Sequence, residues 1–185
     1  ANARPRSHAE PSIFPGGGKC VPVELYGPVC YSLPVSVNVD MRVVGPGDNR
    51  YVEEAWRLKE RIRAREDVLK QRRGFFTDAY RRSTVYLYVA EGEQERIIGF
   101  AAARRDGYIL FLAVDEEFRG EGFGERLVAR VADNHSSVTC HARASNENAL
   151  EFYRYLGFGV ERRIGNYYED GGDAYYLRLG EDEGL

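Results

Sequence analysis

The sequence predicts a mixed α/β domain with a mainly antiparallel central sheet, helices on both of its faces and a β-α-β core. Three observations support this class. Apolar residues follow a helical spacing before residue 83 and a strand-like spacing after it. Asp106-Gly107, a hairpin signal, separates two strand candidates. A glycine-rich loop after the apolar run Tyr108–Val114 opens a helix that leads to another strand, so one parallel pair is expected in the sheet.

The individual elements follow from local patterns. Asp48 is expected to cap the first helix, whose good helix formers continue toward Gln71, and a second helix is predicted at Phe75–Arg82. Later helices are predicted to end near Asp133 and to begin at Ser145 or Asn146, with Gly157 as a stop signal. The predicted strands are Met41–Val44, Thr84–Ala90, Ile97–Ala103, Tyr108–Val114, Val138–Ala142, Phe158–Ile164 and Ala174–Leu179.

Composition limits the classes of function. The chain has 185 residues, of which 43% are apolar and 30% charged, and a net charge of −3, which argues against nucleic acid as a partner. No apolar run approaches the roughly 18–20 residues that cross a bilayer, and the first residues lack the layout of a signal peptide. The three cysteines imply no disulfide framework. A cytoplasmic protein without a membrane partner is expected, and its oligomeric state is left open.

The domain boundary is predicted at Met41, the sole methionine. Residues 1–40 contain most of the prolines and show no helical period, so they are interpreted as an N-terminal extension, a loosely attached arm or a stretch upstream of the natural reading frame. Residues 41–180 form the predicted domain, and residues 181–185 form an acidic tail.

The glycine-rich loop Arg119–Gly124 is the first candidate binding site. Its glycines allow the main chain to approach a ligand closely, and the unpaired N–H groups and dipole of the following helix favour an anion. A phosphate or pyrophosphate site is therefore predicted, with a ligand-free tight turn as the alternative. The loop is not a Walker loop, because no Gly-Lys-Ser/Thr follows, and it is a weak dinucleotide motif, because hairpins precede it.

Two motifs resemble those of the GNAT N-acetyltransferases. The segment 112–124 resembles their cofactor motif Arg/Gln-x-x-Gly-x-Gly/Ala, and the segment 144–158 resembles their signature Asn-x-x-Ala-x-x-x-Tyr-x-x-x-Gly-Phe. The resemblance implies a GNAT-like fold and acetyl-CoA as acetyl donor, and no metal is expected. By the same resemblance, the residues that hold the cofactor are Leu112, Ala113 and Val114 through their main chain, together with Arg119, Gly120, Glu121, Gly122, Phe123, Gly124, Glu125 and Asn146.

The C-terminal half is similar to the protein N-terminal acetyltransferases. His141-Ala-Arg-Ala-Ser-Asn146 resembles their (Glu/His)-Val-Arg-x-Ser-Asn, and Asn166-Tyr-Tyr168 followed by Gly172-Asp-Ala-Tyr175 resembles their Tyr-Tyr…Asp-Ala. This implies a protein or peptide N-terminus as acceptor, with Tyr167 and Tyr168 at its entrance. The chain departs from the family at Arg73–Phe76, where a different substrate-loop sequence is usual.

The same resemblance implies three catalytic residues. His141 is the candidate base, Tyr153 the candidate acid that protonates the departing thiolate, and Tyr108 a residue that assists the base or positions the amine. Each has a structural alternative, namely a hydrogen-bonded strand histidine or a tyrosine packed in the core. Cys140 is adjacent to His141, but alternation along a strand directs the two side chains to opposite faces, which argues against a Cys–His nucleophile pair.

Three functions stay open on the sequence. The first is acetylation of the α-amino group of a protein or peptide. The second is acetylation of a small-molecule amine or a lysine side chain on the same scaffold. The third is a non-catalytic module that binds acyl-CoA.

Overall fold

The computed structural model describes residues 38–92 and 94–180. These residues form one seven-stranded sheet in the order β1-β2-β3-β4-β5-β7-β6, in which only the β4–β5 pair is parallel. The architecture confirms the predicted mixed, mainly antiparallel α/β class. The strands are β1 (Val39–Val44), β2 (Thr84–Ala90), β3 (Arg96–Ala103), β4 (Tyr108–Val114), β5 (Val138–Arg143), β6 (Gly159–Ile164) and β7 (Ala174–Leu179), and the helices are α1 (Val52–Glu66), α2 (Arg73–Arg82), α3 (Phe123–Ala132) and α4 (Glu147–Tyr155).

Two apolar clusters cover the two faces of the sheet. On one face, α1 and α2 pack their buried residues, including Leu58 and Phe76, against strand residues such as Leu87. On the other face, α3 and α4 pack against the alternate residues of the same strands, including Tyr86. Because neighbouring strand residues point to opposite faces, one sheet supplies both cores. A cleft in the sheet is therefore bordered by residues from both faces.

The β4 and β5 strands separate shortly after they meet. Their parallel pairing comprises Tyr108 with Thr139 and Ile109 with Cys140, and no further pairs follow. The rest of β4, Leu110–Val114, therefore has no strand partner on its β5 side. This leaves a wedge-shaped gap in the middle of the sheet.

A bulge in β4 lies where the gap begins. Phe111 pairs with Ala102 of β3, whereas Ile109 pairs with the next residue, Ala103, so Leu110 is an extra residue in β4. A bulge bends its strand and increases its twist. The bend is consistent with β4 turning away from β5 at this point.

The start of α1 differs from the prediction. Asp48 does not cap the helix, which begins at Val52 after Tyr51, a residue with a left-handed conformation at φ 64°. The Asp48 carboxylate instead accepts hydrogen bonds from the main-chain N–H of Arg50 at 2.8 Å and from its Nε at 2.7 Å. The capping prediction is wrong because the following arginine satisfies this carboxylate locally.

The end of α1 also differs. The helix stops at Glu66 rather than continuing toward Gln71, because Asp67 and Leu69 both adopt a left-handed conformation at φ 54°. Val68 and Leu69 pack instead against the α1/α2 side of the core. Residues 67–72 thus form a loop, called here the α1–α2 loop.

The β3–β4 hairpin is present, with a longer turn than predicted. The Arg104 N–H donates to the Tyr108 carbonyl at 2.9 Å, and the Gly107 N–H donates to the Arg104 carbonyl at 3.1 Å. Four residues, Arg104–Gly107, therefore lie between the strands, with Gly107 supplying the positive φ of 78°. The other strand boundaries agree with the prediction within two residues.

Of the proposed extension at residues 1–40, residues 1–37 lie outside the described residues, and so does the acidic tail at residues 181–185. The boundary at Met41 stays a prediction, although β1 begins at Val39. In the described part of the chain, no helix has the length and apolar character needed to cross a membrane.

We expect Phe76→Ala to lower the free energy of unfolding by about 3–5 kcal/mol. The Phe76 ring is fully buried and lies 4.8 Å from the Phe111 ring and 5.3 Å from the Trp56 ring, measured between centroids. Urea unfolding would measure the loss. Phe75→Ala is the matched control, because Phe75 is 57% exposed, and an equal loss in both variants would contradict this description of the core.

Candidate active site

A cavity of about 1130 Å³ occupies the gap between β4 and β5. Its wall includes β4 and β5 residues, the glycine-rich loop, one side of α4, the α1–α2 loop and the β6–β7 loop. Glu121 is the one residue proposed from the sequence that does not line this cavity. The proposed residues that do line it are Tyr108, Leu112, Ala113, Val114, Arg119, Gly120, Gly122, Phe123, Gly124, Glu125, His141, Asn146, Tyr153, Tyr167 and Tyr168.

The glycine-rich loop forms one end of the cavity. Gly120 and Gly122 have φ values of 79° and 78°, and Gly122 directly precedes α3. No side chain caps the N-terminus of α3, so its first N–H groups are available to a ligand. A Cβ atom on Gly124 would lie 3.2 Å from the Phe152 ring, which explains why α3 and α4 need a glycine there. This end has the geometry of an anion site.

Arg119 is engaged with protein groups at the edge of this loop. Its Nη1 lies 2.6 Å from a Glu66 carboxylate oxygen, and its Nε donates to the Val114 carbonyl at 3.2 Å. Arg119 thus ties the loop to α1 and to the end of β4. This arrangement gives Arg119 a role in holding the loop, in addition to the direct cofactor contact expected from the sequence.

A second anchor of the loop is Asp115, which lies between β4 and the single 3-10 turn Glu116–Phe118. Its largely buried carboxylate accepts hydrogen bonds from Arg61 and Arg96, both at 2.8 Å. Burial alone would raise the pKa of Asp115, but these two guanidinium groups hold the pKa below its ordinary value. The carboxylate therefore stays ionised and links α1 to the loop.

His141 lies among tyrosine rings. Its Nδ1 shares a 2.7 Å hydrogen bond with the Tyr108 hydroxyl, and its ring stacks on Tyr167 with a centroid distance of 4.4 Å. The Tyr176 ring lies 5.0 Å away. Burial lowers the pKa of His141, and the nearby positive charge of Arg162 lowers it further, so the ring is neutral near pH 7.

Tyr153 and Cys140 lie on the other face of the sheet, in the α3/α4 cluster. The Cys140 side chain is buried there, as expected from its alternation with His141. Burial raises the pKa of Tyr153 well above its ordinary value, and it raises the pKa of the Cys140 thiol to about 12. The cavity therefore brings together a neutral imidazole from one face and a protonated phenol from the other.

The opposite end of the cavity lies between the α1–α2 loop and the β6–β7 loop. Asp170 joins them, because its carboxylate binds Lys70 at 3.2 Å and Arg143 at 2.9 Å. The Arg143 guanidinium also lies 4.0 Å above the Tyr168 ring, and the hydrogen bond from Arg143 lowers the pKa of Asp170.

The sequence analysis did not identify this bridge. Lys70 and Asp170 are one hundred positions apart, and no motif marks either of them. Arg143 belongs to the motif around His141, but its partner Asp170 is set only when folding brings the two loops together. Nothing in the local sequence could therefore have revealed the bridge.

Metal ligands were not expected from the sequence. Within residues 38–92 and 94–180, the structure contains no group of three or more His, Cys, Asp or Glu side chains placed to hold a metal ion.

The fold and the glycine-rich loop resemble those of known acetyltransferases. Residues 83–160 match a family model described as "Acetyltransferase (GNAT) domain", which covers β2 through the start of β6. Over these residues the chain is similar to the GNAT acetyltransferases, in agreement with the resemblance seen in its sequence.

Individual relatives are named as N-alpha-acetyltransferases. N-alpha-acetyltransferase 30 of Xenopus laevis is 39% identical over 80 residues, which cover 40% of this chain and 29% of the relative. The structure of Ard1 from Thermoplasma volcanium is similar with a TM-score of 0.60 and 26% identity, covering 76% of this chain and 96% of that chain. Arabidopsis thaliana NAA60 in complex with acetyl-CoA is similar in fold, with a TM-score of 0.61 and 20% identity, covering 78% and 100% of the two chains. This chain thus spans less than a third of the Xenopus relative.

We expect His141 to titrate below the ordinary value of about 6.5. Burial and Arg162 both disfavour the imidazolium, so the ring gains its proton only at lower pH. NMR titration of the ring protons would measure the midpoint. Arg162→Gln should raise the midpoint toward the ordinary value, and a midpoint that is above 6.5 or insensitive to Arg162 would contradict this electrostatic description.

Proposed function

We propose that the protein transfers the acetyl group of acetyl-CoA to a primary amine, namely the α-amino group at the N-terminus of a protein or peptide. One observation carries this proposal: a single cavity joins an uncapped helix N-terminus behind a glycine-rich loop to the side chains of His141 and Tyr153. The GNAT domain and relatives named N-alpha-acetyltransferase support the same reaction.

The glycine-rich end of the cavity suits the pyrophosphate of acetyl-CoA. The N–H groups at the start of α3, beginning with Phe123 and Gly124, would donate to the phosphate oxygens. The side of Leu112–Val114 that has no strand partner would hydrogen-bond the amide groups of the cofactor arm, as an added strand does, and would polarise the acetyl carbonyl. The Val114 carbonyl already accepts a hydrogen bond from Arg119. The Oδ1 of Asn146 caps α4 through the Ala149 N–H at 3.1 Å, which leaves its amide N–H groups for the cofactor.

His141 is proposed as the base. For its Nε2 to accept a proton from the amine, Nδ1 must carry the other proton and donate it to the Tyr108 oxygen. Tyr108 would then fix the tautomer and the orientation of the ring. The lowered pKa of His141 keeps Nε2 free at neutral pH, where the reaction needs a proton acceptor, directly or through a water molecule.

Tyr153 is proposed as the acid. When the amine attacks the thioester, the C–S bond breaks and the departing sulfur carries a negative charge. The Cys140 thiol shows what burial at this place does to a sulfur group, since its pKa is raised to about 12. A thiolate formed in the same buried surroundings would be destabilised, which favours its protonation by the Tyr153 hydroxyl, and the raised pKa of that hydroxyl keeps its proton in place at neutral pH.

The acceptor would enter between the two loops at the other end. Tyr167 stacks on His141, and Tyr168 lies beneath Arg143, so both residues border the path to the base. This supports their proposed contact with a peptide. A small amine or a lysine side chain is the alternative acceptor, and the module without catalysis is disfavoured by the geometry around His141. The cytoplasmic location expected from the sequence stays a prediction.

Acetylation of peptide N-termini is the direct test. The protein, acetyl-CoA and peptides that differ in their first two residues should release CoA thiol and yield acetylated α-amino groups, detected by mass spectrometry. N-terminally blocked lysine peptides and simple amines are the controls. Turnover confined to these controls would reject the proposed acceptor, and tight cofactor binding without any turnover would favour the module.

The pH dependence of kcat tests the assignment of the base. With saturating substrates, kcat should be constant near pH 7 and should fall as pH decreases through the lowered pKa of His141, because the protonated ring cannot accept a proton. His141→Gln should lower kcat by roughly 10²–10⁴ and remove this fall. Tyr153→Phe should lower kcat but leave the fall of kcat at low pH in place. An unchanged profile in His141→Gln would exclude His141 as the base.

Cofactor affinity tests the glycine-rich loop. Gly122 has φ 78°, so Gly122→Ala forces a side chain into a left-handed conformation at a cost of about 1–2 kcal/mol. The Kd for acetyl-CoA, measured by calorimetry, should rise by about tenfold. Gly45→Ala is the matched control, since a Cβ at Gly45 meets no atom within 4 Å. An equal Kd in the two variants would contradict the proposed pyrophosphate site.

A further inference from the structure

The α1–α2 loop, which forms one wall of the acceptor end, has few supports of its own. Asp67 and Leu69 hold left-handed conformations that are unfavourable for residues other than glycine. The side-chain Oε1 of Gln71 is buried and has no hydrogen-bond partner among the described residues. Such a conformation persists only where its surroundings determine it. The loop therefore depends on contacts from outside itself.

Lys59 of α1 supplies one such contact to the loop. Its side chain is fully buried, and its Nζ donates to the Gln71 carbonyl at 2.6 Å. In the part of the chain that the structure describes, this is the only hydrogen bond to the main chain of residues 68–71. The main chain of residues 68–71 is thus hydrogen-bonded to α1 through one ammonium group.

The ammonium group is itself held in place. It lies 2.9 Å from a Glu60 carboxylate oxygen and 4.4 Å from the centre of the Trp56 ring. Burial lowers the pKa of Lys59, while Glu60 favours the charged form. A buried lysine is costly unless its donors are used, so this one is expected to have a specific role.

We propose that Lys59 is a positioning residue for the acceptor: its buried ammonium group fixes the α1–α2 loop in the conformation that an incoming peptide meets. Val68, Leu69, Lys70, Gln71 and Arg72 all line the cavity, so a shift of the loop changes the shape of the acceptor end directly. Lys59 itself does not line the cavity and touches no reacting group. The kinetic part of this inference rests on the proposed acetyl transfer.

The glycine-rich end should not depend on Lys59. That end is anchored by Arg119 on Glu66 and by Asp115 on Arg61 and Arg96. None of these pairs includes Lys59. Loss of the lysine should therefore affect the acceptor and leave the cofactor site intact, which separates positioning from a general structural role.

Limited trypsin digestion tests the loop without any assay of activity. Lys70 and Arg72 are tryptic sites inside the loop, so the rate of cleavage there, mapped by mass spectrometry, reports how often the loop opens. Lys59→Met keeps the apolar length of the side chain and removes the ammonium group. We expect cleavage after Lys70 and Arg72 to be about tenfold faster or more, because a hydrogen bond from a charged donor is lost.

Arg63→Met is the matched control. Arg63 also pairs with Glu60, at 3.0 Å, but it is exposed on α1 and donates its side-chain hydrogen bonds to Glu60 rather than to the Gln71 carbonyl. This variant should be cleaved like the unmodified protein. Cleavage that is equally fast in both variants, or unchanged in Lys59→Met, would overturn the proposal.

Steady-state kinetics and calorimetry test the consequence for the acceptor. In Lys59→Met, KM for an acceptor peptide with a free α-amino group should rise about tenfold, while kcat and the Kd for acetyl-CoA stay the same. An equal loss in kcat, KM and cofactor affinity would indicate general destabilisation and would overturn the positioning role. If Lys59→Met does not fold, Lys59→Gln replaces it, because glutamine keeps a polar group but is too short to reach the Gln71 carbonyl. The same changes in loop cleavage and in KM, with the same kcat and cofactor Kd, are then expected for Lys59→Gln. If no substrate is turned over by the unmodified protein, the digestion result still decides whether Lys59 holds the loop.

Discussion

The separation of β4 from β5 determines most of what this molecule can do. Two residue pairs join the strands, and the bulge at Leu110 lies where they part. The gap exposes one edge of β4 in the centre of the sheet, where main-chain groups would otherwise be satisfied by a neighbouring strand. It also opens both faces of β5 to one cavity. The cofactor edge, the histidine and the buried tyrosine all depend on this one irregularity.

At neutral pH, the two sides of the sheet at β5 present a group that can accept a proton and a group that can donate one. Burial disfavours whichever form of a group is charged, so it keeps the His141 imidazole neutral and the Tyr153 phenol protonated. A neutral base and a protonated acid are what an amine attacking a thioester requires. The same physical effect therefore supports both proposed roles, because one group is cationic when charged and the other is anionic.

The two ends of the cavity are held by different means. At the glycine-rich end, arginine–carboxylate pairs connect α1 to the loop, so the anion site is tied to a helix. At the acceptor end, two irregular loops meet through Asp170, and one of them is attached from below by Lys59. A cofactor common to many reactions suits a rigid end, whereas loops are the part of a fold that varies with the acceptor.

Local rules predicted regular elements well and irregular ones less well. Strands β2, β4 and β7 have the bounds that their apolar patterns indicated, and Asn146 caps α4 as expected. The failures lie at α1. The prediction that Asp48 caps this helix is wrong because Arg50 occupies the Asp48 carboxylate. The predicted C-terminal end is wrong because packing of Val68 and Leu69 outweighs the helix propensity of the residues before Gln71.

The sequence by itself determined the class of fold, and it led to the predictions of an anion-binding loop, a base and an acid. These follow from patterns within a few residues of one another, such as glycines at the start of a helix or alternation along a strand. Only the tertiary structure decided that Tyr108 hydrogen-bonds His141, that Asp170 bridges two loops and that Lys59 holds one of them. These contacts join residues that are far apart in the chain or that face one another across a turn, and their geometry exists only after the sheet and its cores have formed.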